Sequence, residues 1–284
     1  MLERGGETVT SAHKANLSVI GDQMPVRFER PSWLSNILCA LFLLFLLWSM
    51  SSAGLSLSDL LEGLPNMATI AGEMVPPATD RAGPMANAIL VTFQMALVGT
   101  VIGILISIPV AMLMARNTSP HPIVRHVARS VVSFFRTVPD LAWALFFVAS
   151  VGLGAFAGTL TIIIDTIGFC ARFFAESMEE VDPGPSEALA SIGASPIDRI
   201  VVVLLPSAMP SFINTSLFSL EKAVRSSVVL GLVGAGGIGA ELAVSMEMFR
   251  YDQAATIVIM IFVLVFAVEQ FSSVIRNRLL RQNV

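Results

Sequence analysis

Asp165, Arg172, Glu221, Lys222, Arg225 and Glu269 are ionisable side chains set within apolar runs. A charge in hydrocarbon costs several kcal/mol unless it pairs or faces water, so each is a candidate for function. On a helix, Asp165 and Arg172 fall two turns apart on one face, and pair through an intermediate group or contact other helices. Glu269 reaches the headgroups or a loop arginine. Glu221 and Arg225 are an i,i+4 pair. The competing reading is that Arg225 and Lys222, with Ser226 and Ser227 beside them, lend positive potential to a pathway for an anion.

Other chemistry finds little support. Gly234-x-Gly236-x-x-Gly239 matches the dinucleotide fingerprint in letters, but it lacks the preceding strand and the acid about 20 residues on that the motif needs. Gly234, Gly236, Gly237 and Gly239 read instead as a packing turn that helps form an outer gate. No Gly-x-x-x-x-Gly-Lys-Ser/Thr stretch occurs, so any ATPase is a separate subunit. The three histidines lie in polar segments, and no nucleophile–base or metal-ligand set is evident. Cys39 and Cys170 sit inside apolar runs without metal or disulfide spacing. The chain is assigned no catalytic residue, no metal and no cofactor of its own.

The elements that must position these residues are membrane spans. The chain has 284 residues, 55% hydrophobic and 13% charged, and a mean hydropathy of +0.77, which calls for several spans rather than one soluble core. Residues 1–33 form a polar tail, and the apolar stretch that follows is too long for a signal-peptide core. The expected spans are 34–53, 86–115, 138–155, 159–175, 203–224 and 254–275. The second carries Pro109 and a small-x-x-x-small face at Gly99 and Gly103. Between Gly54 and Pro84 the pattern predicts two short interfacial helices. The segment 226–239 is too short and glycine-rich to cross, and reads as a re-entrant turn.

Basic residues orient the chain. Arg116, Arg125, Arg129 and Arg136 mark an inner loop. Thirteen Lys/Arg fall inside, Arg276, Arg278 and Arg281 among them. Arg81, Lys222, Arg225 and Arg250 are assigned outside, and both termini are placed in the cytoplasm. No basic patch supports nucleic-acid binding, and the net charge of −4 decides little.

The most informative polar interruption is residues 176–202. Pro183, Gly184 and Pro185 stop the preceding helix, Ser186 caps a helix starting at Glu187, and Gly193 ends it with positive φ. Ser195-Pro196 then starts another helix, with Ser195 as cap. This makes a compact knob of two short helices. Glu187-Ala188-Leu189, Gly193-Ala194-Ser195-Pro196 and Leu205-Pro206 resemble the Glu-Ala-Ala loop of ABC importer permeases, with Leu189 in place of the second alanine. In that family the knob docks into the ATP-hydrolysing subunit and transmits its closure to the membrane helices.

Further stretches narrow the resemblance. Phe134-Phe-Arg-Thr-Val-Pro-Asp-Leu-Ala-Trp143, Glu176-Ser-Met-Glu-Glu-Val-Asp-Pro-Gly-Pro185, Arg225 through Gly239 and Phe249-Arg-Tyr-Asp252 look like the permease of phosphonate/phosphite-type (PhnE-like) ABC importers. The likeness covers about residues 54–284. It implies an all-α polytopic membrane protein with six transmembrane helices, the type I importer permease fold, in the cytoplasmic membrane. It also implies a second copy of the chain, two ATP-binding cassette subunits that bind ATP and Mg, and an extracytoplasmic binding protein that delivers a phosphorus oxyanion. The alternative is a secondary transporter of a small anion driven by an ion gradient. Broken helices and Asp165 favour it, whereas the Glu-Ala loop and the lack of an inverted repeat oppose it.

Overall fold

The computed structural model describes residues 32–54 and 56–281, so the tail expected at 1–33 lies, up to residue 31, outside the described residues. Every regular element described is helical. By internal contacts the chain divides into two units, residues 1–66 and 67–284. The first holds α1 (Trp33–Ser52), capped by Ser32, whose hydroxyl accepts from the Ser35 amide at 3.3 Å. Its 20 residues of mean hydropathy 2.0 span about 30 Å at 1.5 Å per residue, enough for one crossing. α2 (Leu57–Glu73) begins here and runs unbroken through Pro65, where two short helices were expected. Proline fixes φ near the helical value and removes one N–H, so a helix can pass through it with a bend.

The second unit is built on α3 (Ala82–Met114) and α6 (Ala155–Glu179). Gly99 and Gly103 are buried where these helices meet: a Cβ on Gly99 would lie 2.7 Å from Ile162 Cγ2, and one on Gly103 2.5 Å from Thr166 Cβ. The small-x-x-x-small face is therefore a contact between backbones, as its spacing implies. At 33 residues α3 is about 50 Å long, which exceeds a bilayer core and requires tilt or projection.

Between them, α4 (Pro122–Thr137) and α5 (Asp140–Val151) meet at 89°. Pro139 accounts for the corner, since the residue before proline avoids the helical region, and Val138 is extended at φ −77°, ψ 123°. α5 has 12 residues, about 18 Å, too few to cross alone. The span expected at 138–155 is thus corrected: five described helices are long and apolar enough to cross, and the sixth exists only if α4 and α5 count as one broken span.

After α7 (Pro183–Ser191) and α8 (Pro196–Arg199), a π-helical turn, Ile200–Leu204, leads into α9 (Leu205–Leu230). A second π-helical turn, Gly231–Ala235, precedes α10 (Ile238–Glu247) and α11 (Tyr251–Arg281). α9 packs on α6 through Phe174 and Phe212, stacked at 4.2 Å. Its length changes where its charged residues sit along the bundle. Arg276, assigned inside, donates to Glu221 at 3.0 Å, although Glu221 was assigned to the outer end of its span. Arg136, from the inner basic cluster, shares a cavity with Lys222 and Arg225. The reason is that α9 continues to Leu230, eight residues or about 12 Å beyond Lys222. Lys222 and Arg225 therefore lie level with Arg136 and Arg276, residues assigned to the opposite side from them, so the two assignments cannot both hold.

Candidate functional site

The knob forms nearly as its signals suggest, with an earlier start. Asp182, not Ser186, caps α7, accepting from the Gly184 amide at 3.0 Å, and Pro183 to Pro185 make its first turn rather than ending α6. Proline is suited to that turn because its missing N–H would be unpaired there anyway. Glu187, Ala188 and Leu189 lie within α7. The Gly193 amide donates to Ala190 O and the Ala194 amide to Leu189 O, both at 3.1 Å, across a Gly193 φ of +85°. Ser195 caps α8 reciprocally: its hydroxyl accepts from the Asp198 amide at 3.2 Å, while Asp198 Oδ2 accepts from the Ser195 amide at 3.1 Å. Leu205 and Pro206 open α9.

Ile192 is 78% and Ile197 71% exposed at the tip of this knob. Its base, by contrast, is clamped. Glu179 at the end of α6 accepts from Arg129 Nη2 at 2.6 Å and from the Arg116 amide at 2.7 Å, and Arg129 Nε donates to Met114 O at 3.0 Å. Asn117 Nδ2 donates to Met178 O at 2.7 Å. Sequence reasoning counted these arginines only as topology markers, because pairing across 50 or more residues leaves no local pattern.

The charged residues of the spans meet at a cavity of about 450 Å³ lined by Arg136, Asp165, Phe169, Phe218, Glu221, Lys222 and Arg225. The pairings differ from those expected. Asp165 accepts Lys222 Nζ with both oxygens, at 2.7 and 2.9 Å, while Arg172 turns to Glu176 at 2.8 Å. Glu221 takes Arg276 instead of Arg225. Lys222 also sits 5.4 Å from the centre of the Phe169 ring. Ser227 is buried and donates to Val224 O at 2.7 Å, away from the cavity lining, and Ser226 does not line the cavity either. Arg136 was missed as a site residue. It arrives because Gly168 lets the α4–α5 corner come close to α6: a Cβ there would lie 3.3 Å from the Arg136 amide nitrogen.

The glycine turn packs against the opposite end of the bundle from the knob. Gly234, Gly236 and Gly237 have φ of +92°, +78° and +73°. Gly154 donates its amide to Gly234 O at 2.9 Å, and the Ile238 amide donates to Thr92 Oγ1 at 2.8 Å. A Cβ on Gly239 would collide with Val228 O, and one on Gly231 would lie 2.7 Å from Gly236 O. The turn is thus a close-packed junction of α3, α6 and α9. The dinucleotide reading fails on geometry as it did on context, since no described strand precedes it.

Comparisons with known proteins agree with this architecture. Residues 107–281 match the family described as binding-protein-dependent transport system inner membrane component. The chain is 40% identical over 223 residues to the phosphite transport system permease protein PtxC of Stutzerimonas stutzeri, covering 78% of this chain and 81% of that one. It is 44% identical over 207 residues, 72% of this chain, to the phosphate-import permease protein PhnE of Mycolicibacterium smegmatis, of which it spans 39%. Among solved structures, an inward-facing MetNI methionine ABC transporter superposes with a TM-score of 0.61 at 25% identity, covering 69% of this chain and 95% of that one. An alginate ABC transporter shares the fold at a TM-score of 0.59, 14% identity and coverage of 88% and 98%. With the exposed two-helix knob, the clamped base and the matched family region, the chain belongs to the inner membrane components of binding-protein-dependent transport systems, the permeases of ABC importers.

Proposed function

We propose that the chain is the permease of an ATP-driven importer for a phosphorus oxyanion, phosphite or a phosphonate. Two copies form the pore, two ATP-binding cassette subunits hold ATP and Mg, and an extracytoplasmic protein delivers the anion. Both termini lie in the cytoplasm with the knob. Glu187, Ala188, Leu189, Gly193, Ala194, Ser195 and Pro196 form the surface that docks on the ATPase, and Leu205 and Pro206 pass its movement into α9. The glycine turn at Gly234, Gly236, Gly237 and Gly239 acts as an outer gate. Arg225 faces the pathway, while Lys222 is held by Asp165.

The observation that carries this reading is the 40% identity to a phosphite permease over most of both chains. The knob supports it physically, because Ile192 and Ile197, 78% and 71% exposed on it, offer an apolar surface that a partner subunit can cover. A transporter driven by an ion gradient alone would have no use for that surface. The test is uptake of phosphite and methylphosphonate by vesicles containing the permease, its ATPase and its binding protein. ATP-dependent uptake that requires both partners is expected. Uptake by the permease alone, driven by an ion gradient, would overturn the class.

A further inference from the structure

The cavity beside α9 has a charge surplus that its internal pairs do not absorb. Lys222 is matched by Asp165, and Glu221 by Arg276. Setting aside these two pairs leaves Arg136 and Arg225, which make no ion pair among the described residues. Both are exposed in the single chain, although Arg225 lies well inside a membrane-crossing helix. An exposed guanidinium at that depth is expensive against hydrocarbon, so this face meets water or a second copy of the chain. Lys222 cannot take the place of either arginine, since a bidentate carboxylate and the Phe169 ring hold it.

We propose that Arg136, from the α4–α5 corner, and Arg225, from α9, together form an oxyanion station inside the membrane domain, taking a tetrahedral phosphorus oxyanion of up to two negative charges. The proposal rests on the oxyanion-import reading and deepens it, by adding Arg136 and removing Lys222 from the groups that touch the anion. Guanidinium suits the task because its fork donates two parallel hydrogen bonds to two oxygens. Phe169 and Phe218, stacked at 5.6 Å, form an apolar wall that offers no competing acceptor. At about 450 Å³ the cavity holds the anion with part of its water, which favours passage over tight retention. The station also joins two elements that reach the knob, because α4 carries Arg129 of the clamp under the knob while α9 continues from the knob through one π-helical turn.

The test uses the purified complex of permease and ATPase without nucleotide, titrated with phosphite and with methylphosphonate, and reads the broadening of their 31P resonances. Uptake by vesicles is measured on the same preparations. Arg136→Gln and Arg225→Gln are each expected to weaken the broadening and the uptake by about tenfold or more, the scale of losing a charge-assisted contact. Assembly and basal ATP hydrolysis report whether each variant is folded. Where a Gln variant does not assemble, Arg136→Lys and Arg225→Lys decide, since both keep the charge but lose the fork, and severalfold weakening is expected. Wild-type uptake with variants that broaden and transport normally would overturn the station and leave the import reading intact. Broadening that depends on both arginines, without wild-type uptake of either anion, would support the station and overturn the import reading. Neither broadening nor uptake would overturn both.

Discussion

Gly193 in the knob and Gly239 in the turn at the other end of the membrane unit are both called for by glycine chemistry, but for opposite reasons. Gly193 has φ +85° and nothing within 4 Å of where a Cβ would stand. Gly239 has no such φ, yet its Cβ would strike Val228 O and lie 2.9 Å from Gly231 Cα. One position needs a backbone angle in open space; the other needs the absence of an atom in a filled one. The difference separates a surface made for another subunit from a junction made for the chain itself. Around Gly193 the apolar side chains stand free, while around Gly239 they are enclosed, with Ile238 and Leu230 0% and 1% exposed.

Gly239→Ala should therefore have the largest effect. Its methyl meets backbone, which cannot rotate away, so the expected loss is about 3 kcal/mol or more, at the upper end of overpacking costs. The measurement is thermal unfolding of the detergent-purified permease beside the yield of membrane-inserted chain. A variant of wild-type stability would show that α9 and α10 separate easily, and the contrast with the knob would dissolve.

Gly193→Val should come next and should act differently. A β-branched residue in the left-handed region costs about 1–2 kcal/mol locally, and the exposed knob can distort without disturbing the core. Uptake should fall strongly while insertion and the unfolding midpoint stay near wild type. Full uptake would remove the knob from coupling; a collapse of stability equal to that of Gly239→Ala would mean that the knob is part of the fold after all.

Why these two glycines differed in legibility is physical. The sequence around Gly193 carries its reason locally: Ser195-Pro196 starts a helix two residues later, so the turn and its positive φ follow from neighbours. Gly239 is read locally only as part of a glycine-rich turn, because its constraint comes from Val228, and the packing of a tight turn has no letter code. The same division runs through the charges. The Ser195 cap and the small-residue face of α3 were legible, since they depend on spacings of three or four, whereas the cap expected at Ser186 lies at Asp182. Lys222–Asp165 and Arg276–Glu221, separated by 57 and 55 residues, were not, and neither was Arg136. Local pairing at i,i+4 was the natural expectation for Glu221 and Arg225, and it lost because Arg276 approaches from another helix. The broken span was not legible: Pro139 fell within a span expected to run unbroken over 138–155, and the 89° corner depends on what α4 and α5 pack against.

The smallest expected effect sharpens the comparison most. Asparagine is the side chain that best tolerates the left-handed region after glycine, because its short amide can hydrogen-bond its own backbone. Gly193→Asn adds atoms to the knob surface but keeps the backbone angle, whereas Gly193→Val adds atoms of similar bulk and opposes it. If Gly193 serves only the angle, Asn should keep most of the uptake that Val loses, with stability within a few tenths of a kcal/mol of wild type, the margin usual for exposed positions. If the ATPase instead packs directly on Gly193, the two variants should be equally impaired despite their different backbone preferences, and binding of the ATPase subunit, measured by co-purification, should weaken for both. Equal impairment with unchanged ATPase binding would contradict both accounts. Asn at wild-type uptake beside a defective Val would leave the angle as the reason for glycine at the tip of the knob, and Ile192 and Ile197 as the surface that the partner covers.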